Sequence, residues 1–198
     1  MNEELVLRPR FGRILTVVVA AVCAIAAVLV VVQSPAEGWR IVPLPVFFAF
    51  LTWSTYWQPA VRVSDDAVTV QNVYRTIRVP WGQIQRIDTR FALTLFTTHG
   101  RVAAWAAPAP GRHSILLADR SQGTHLPESS YVAGTVRPGD LVNSESGAAA
   151  YVVRRRWEQL RDAGQLTDSG AARESHVHAV TIAVTIALLG AVAAGVLL

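Results

Sequence analysis

The sequence has no lysine, one methionine and one cysteine, and only 16% of its 198 residues are charged. A lone cysteine, Cys23, excludes an intrachain disulfide and any zinc site built on cysteines. A soluble domain of ordinary composition has about a quarter of its residues charged, so the deficit argues for apolar surroundings over part of the chain. All 18 basic residues are arginine, which reads as a coding bias and makes the isoelectric point near 10.0 a poor argument for nucleic acid. What fills the gap is hydrophobic: 52% of the chain, with mean hydropathy +0.33.

The apolar residues are concentrated in three runs. No charge interrupts residues 14–32, and at about 1.5 Å per helical residue such a run crosses a hydrocarbon core of roughly 30 Å. Arg8, Arg10 and Arg13 precede it as they would a secretory signal, but its length and the absence of a small-residue cleavage site favour an anchor. The second run, 41–57, places Pro43 and Pro45 near its start, where missing amide donors are tolerated, and ends in Trp53, Tyr56 and Trp57, an interfacial aromatic cluster. The third, 179–198, closes the sequence. None of the three carries an ionisable side chain on a transport pathway, so the runs read as anchors. Ala183, Ala187, Ala191 and Gly195 recur four apart, the spacing of a close-packing helix face that would serve helix–helix association. Arginine placement puts the N-terminal flank (1–13) and the central region on the cytoplasmic side of a plasma membrane and Leu198 at the outer face.

After Pro59 the period changes to two. Val68 and Val70 alternate with polar residues in a half-buried strand that follows the turn at Asp65 and Asp66. Residues 76–81 alternate again, apolar positions continue through Trp81, Ile84 and Ile87, and His99 and Gly100 mark a turn between strands at 91–96 and 102–107. Residues 147–163 place Ala149, Val153, Trp157 and Leu160 on one helical face. The expected class is therefore a membrane-anchored α+β protein. A hairpin of two spanning helices (14–57) leads to an antiparallel sheet or partly open barrel capped by a helix (58–163), with a partly disordered insertion at 108–146 and a short element at 114–118. A polar linker (164–178) and a third spanning helix follow.

The run from Val63 to Ile84 resembles a bacterial pleckstrin-homology (PH)-like domain of the low-molecular-weight protein antigen 6 type found in actinobacteria. The resemblance is carried by Asp65-Asp66, Val68-x-Val70 and Val79-x-Trp81-x-x-Ile84, and covers 58–107 with the helix at 148–163. It implies a seven-stranded bent sheet closed by a C-terminal helix, with no catalytic residues.

Little chemistry stands out elsewhere. His176-x-His178 lacks the third ligand that zinc requires. His113, Ser114 and Asp119 lack a nucleophile-elbow context. Two carboxylates in the first turn repel phosphate, so any anionic-lipid contact falls to Arg75, Arg78, Arg154, Arg155 and Arg156. The expected function is a non-catalytic interaction or scaffold module on the membrane, with an unidentified protein partner, the lipid bilayer, no cofactor, no metal and no nucleic acid. The alternative is anionic-lipid or small-ligand binding by the same barrel.

Overall fold

A computed structural model of the chain describes residues 4–109, 131–132, 135–136, 144–166 and 173–197. The elements follow as β1 (Leu5–Leu7), α1 (Arg10–Gln33), α2 (Pro43–Thr52), β2 (Ala60–Val63), β3 (Ala67–Gln71), β4 (Arg75–Pro80), β5 (Ile84–Asp88), β6 (Ala92–Thr97), β7 (Gly100–Pro108), β8 (Tyr131–Val132), β9 (Thr135–Val136), α3 (Glu145–Asp162), β10 (Glu174–Val177) and α4 (Ala179–Leu197). They divide into a sheet unit, Met1–Arg8 with Ala60–His176, and a helical unit, Pro9–Pro59 with Val177–Leu198. The insertion and the element expected at 114–118 lie largely outside the described residues; within that stretch β8 and β9 form a two-stranded ladder.

The sheet unit is built on β-branched residues whose alternation fixes one inward face. Val61 pairs with Val70 and Val63 with Val68 across β2 and β3; Val68 then pairs with Val79 and Val70 with Ile77 across β3 and β4. All six side chains are buried. A one-residue slip would turn every one of them to water, so this register is strongly specified. The second sheet, β5-β6-β7, contributes Leu93, Leu95, Val102 and Ala104 to the same core. Its β6–β7 turn depends on Gly100, whose φ of 109° disfavours any side chain.

Helix α3 closes the core. Its N-cap is Ser144, whose hydroxyl accepts from the Gly147 amide at 2.9 Å, and Ala149, Val153 and Leu160 are buried beneath it. Trp157 packs against the cluster and its indole N–H donates to the Ile84 carbonyl at 3.2 Å. Trp81, in the single 3₁₀ turn between β4 and β5, donates to the Ser64 carbonyl at 3.1 Å. Val68, Val70, Trp81, Ile84, Trp157 and Leu160 thus all serve the core or pack against it.

Strands β1 and β10 lie outside the expected domain bounds of 58–163. The larger sheet has the order β1-β2-β3-β4-β10, so its outer members come from the N-terminal flank and from the polar linker. Among the described residues no ladder joins the two main sheets into a closed barrel.

In the helical unit, α1 has 24 residues and α4 has 19, and these are the two described helices long and apolar enough to cross a membrane. In each, 6% of the apolar window is buried. The run at 41–57 differs from the expected span. It opens with a 3₁₀ turn at Gly38–Arg40, has ten α-helical residues from Pro43, and ends in a five-residue π turn at Trp53–Trp57. The prolines fix the start: Pro occupies the first helical turn, where no amide hydrogen is required. At no more than about 22 Å, the helical stretch is shorter than a straight crossing. It packs against both α1 and α4. Close approach is achieved at glycines: a Cβ on Gly12 would lie 3.0 Å from the Tyr56 carbonyl oxygen, one on Gly38 would lie 2.6 Å from the Val30 oxygen, and Gly195 abuts the Arg40 carbonyl. Of the expected small-residue face only Gly195 packs within the chain. Ala183, Ala187 and Ala191 are exposed, and the less exposed positions of α4 include Thr181, Val184, Leu188 and Val192.

Candidate binding surface

In the sheet unit, a cleft of about 380 Å³ opens between β1, the β2–β3 turn and the outer side of α3. Leu5, Val63 and Val152 supply apolar walls, Tyr151 adds a ring with a hydroxyl, and Ser64, Asp65, Arg155, Arg156 and Gln159 supply the polar groups. The location follows from the topology. β1 extends the sheet beyond β2 through the pairs Leu5 with Val63 and Leu7 with Val61, so the edge beside α3 is furnished by the N-terminal strand. Sequence patterning does not find this site, because a three-residue strand paired with a segment more than fifty positions away leaves no local period.

The triple arginine does not form one basic patch. Consecutive helical residues are about 100° apart, so three in a row sweep most of the circumference and one must turn inward. That one is Arg154, which is 3% exposed and donates to the Ile87 carbonyl at 3.3 Å. Arg154 is therefore corrected as a candidate lipid contact, because it belongs to the packed side of α3. Arg155 is exposed at the cleft. Arg156 is half-buried and pairs with Asp65 at 2.7 Å, bringing a cation from α3 to the acidic turn. Arg78 lies 3.9 Å from Asp66, while Arg75 is exposed at the start of β4. The five candidate arginines are thus divided among the core, the cleft and the β3–β4 hairpin.

Asn72 ties the two sheets together. The Asn72 side chain donates to the Ala103 carbonyl at 2.9 Å and accepts from the Trp105 amide at 2.8 Å. Its amide thereby continues the β7 ladder where no strand does, and ties the β3–β4 turn to the smaller sheet. The turn itself is closed by the Asn72 amide on the Arg75 carbonyl at 2.8 Å.

Among the described residues no group of three or more His, Cys, Asp or Glu could hold a metal ion. His176 lies on the edge strand β10, and the His178 Nδ1 lies 3.5 Å from the Gln58 amide nitrogen. His113, Ser114 and Asp119 lie outside the described residues.

Residues 58–139 match the family model of a bacterial PH domain. No curated protein and no solved structure matches the chain. The matched residues contain the six-strand succession β2–β7, and α3 follows them as the C-terminal helix. The sheet unit is therefore a PH-like antiparallel fold with a C-terminal helix, supplemented by a strand from each flanking segment.

Proposed function

We propose that this chain is a multi-pass protein of the plasma membrane whose PH-like domain is a non-catalytic binding or scaffold module. The pattern Val68-x-Val70 with Trp81-x-x-Ile84 supports the antigen 6 type within the bacterial PH-like group. The observation that carries the reading is the ladder between β1 and β2. β1 precedes α1 and β2 follows α2, so if α1 crosses a bilayer, the chain must return before Ala60 for the two strands to meet. The segment from Gly38 to Trp57, although short, is then the returning limb. Arg13 supports this arrangement, since its guanidinium lies 4.8 Å from the Trp57 ring centroid, beside the aromatic cluster expected at the headgroup level. Binding, on this reading, uses the cleft between β1 and α3, where Tyr151 and Arg155 are the rigid ring and the charge most often found at protein contacts.

Thiol labelling of the full chain in a Cys23→Ala background tests the arrangement. In intact cells a membrane-impermeant reagent should label Trp39→Cys and spare Glu4→Cys and Gln159→Cys until the membrane is opened. Labelling of Glu4→Cys and Gln159→Cys from opposite sides would overturn the proposal.

A further inference from the structure

We propose that the free edge of β1, together with the cleft beside α3, takes up an extended acidic segment of a partner protein as an added strand. This rests on the cleft being the binding site and adds the kind of partner. All of the residues concerned belong to the sheet unit.

The β2–β3 hairpin fixes which backbone groups β1 leaves open. The Ser64 amide donates to the Ala67 carbonyl at 3.0 Å, so those two residues form a hydrogen-bonded pair. Hydrogen-bonded and non-hydrogen-bonded pairs alternate along an antiparallel ladder. Arg62 is then bonded to Thr69, whereas Val61 and Val63 turn their amides and carbonyls away from β3 and toward β1. There they meet Leu7 and Leu5. The Asn72 amide on the Arg75 carbonyl gives the same phase from the other side of β3. Val6, opposite Arg62, therefore points its N–H and C=O out of the sheet. Among the described residues no strand pairs with that side, because β1 is the outermost member of the larger sheet. The chemistry that satisfies such an edge is a second extended backbone.

Side chains alternate with the same period. Leu5 and Leu7 share the face of Val63 and Val61, which is the core face, whereas Val6 lies with Arg62 on the other. Leu5 is nevertheless 47% exposed, because the cleft opens beside it. A strand added to β1 continues the alternation, so its residue opposite Leu5 enters the cleft toward Val152 and the Tyr151 ring.

The charge of the cleft selects among extended segments. Arg156 is engaged by Asp65 at 2.7 Å, and Glu4, the acid that precedes β1, pairs with Arg62 at 3.7 Å. Arg155 is exposed at the cleft and has no ion pair among the described residues. An acidic side chain two places along the added strand shares the face of the apolar one and meets that charge.

The test selects random dodecapeptides, displayed on phage, on the full chain in nanodiscs of phosphatidylcholine. Enriched peptides should carry an apolar residue two places from an acid, and synthetic copies should bind. N-methylation of alternate amides then reads the mode, since only one set faces β1: methylating that set should weaken binding about tenfold, and methylating the other should leave it unchanged. Val6→Pro removes the outward amide at an edge position, where proline is tolerated, and should also weaken binding about tenfold, whereas Val6→Thr should not. Arg155→Ala should weaken the acidic peptides about threefold and leave copies with the acid replaced by its amide unchanged. Binding that withstands Val6→Pro and both methylation sets but is lost in Tyr151→Ala would overturn strand addition and keep the cleft as the binding site. If no enriched peptide is sensitive to Val6→Pro or to Tyr151→Ala, both fail. Self-association of the full chain in proteoliposomes that Val6→Pro abolishes would overturn the proposal in favour of a second copy at this edge.

Discussion

Val68 and Val70 are wholly excluded from solvent in the sheet unit, while Val17 and Val18 in α1 are 58% and 54% exposed. The side chain is the same, so the difference lies in what each unit is built to meet. The sheet unit turns its valines inward and closes over them with α3. The helical unit presents Phe11, Ile14, Val32 and Val180 outward, each more than 60% exposed. In water, an apolar face of that extent would drive association or aggregation; in hydrocarbon it is the face that belongs outside. Secondary structure makes the same point, because the backbone groups of α1 and α4 away from the helix ends are satisfied within the helix, whereas the outer strands of an open sheet need water or a partner.

The contrast can be broken most forcefully from the core side. Trp157→Ala removes a packed ring and the indole bond to Ile84, and should destabilise the sheet unit by about 3 kcal/mol or more. Urea unfolding of the full chain in mild detergent would measure it. Next in size is an arginine placed on an exposed apolar position in each unit. Leu189→Arg, at a site 55% exposed in α4, should oppose membrane insertion by about 2.5–3.5 kcal/mol in a translocation assay. Phe91→Arg, at a site 79% exposed in the sheet unit, should change stability by no more than about 0.5 kcal/mol. Equal effects at the two sites would erase the distinction between the units.

Asn72→Ala sharpens the comparison within the sheet unit. Losing two bonds to β7 should cost about 2 kcal/mol, and hydrogen exchange should rise at the Trp105 amide before it rises in β3. The smallest expected effect is that of Asp65→Asn. Its partner Arg156 is at 2.7 Å, but the two side chains are 53% and 35% exposed, so the loss should stay below about 1 kcal/mol and shrink further in salt.

Much of this organisation is legible in the residues themselves. Val68, Val70 and Trp81 are found by alternation, Ile84 as the next apolar position after them, and Ala149, Val153, Trp157 and Leu160 by helical spacing, because burial on one face imposes those periods. What stays hidden depends on distant partners. Leu5–Leu7 and Glu174–Val177 are too short to show a period and become strands only because β2 and β4 offer edges. The second apolar run shows how composition overstates length: counting apolar residues from 41 to 57 ignores that the helix starts at Pro43 and loosens into a π turn at Trp53. Arg155 and Arg75 are exposed, whereas Arg154 is drawn inward by its place beside Val153 and one turn from Trp157. The clamp made by Asn72 has no sequence signature beyond a polar residue at a turn.

The β1–β2 ladder joins the chain before its first apolar helix to the chain after its second. Val6 and Arg62 are partners in that ladder. Val6→Cys with Arg62→Cys, in a Cys23→Ala background and in membranes of the full chain, brings two thiols to the spacing at which a disulfide forms across strands. Mild oxidation should link them within one polypeptide, detected as a joined peptide pair by mass spectrometry, and Val6→Cys with Gln85→Cys on β5 should remain unlinked. Failure of Val6→Cys and Arg62→Cys to join, with both thiols reactive toward alkylation, would contradict the account.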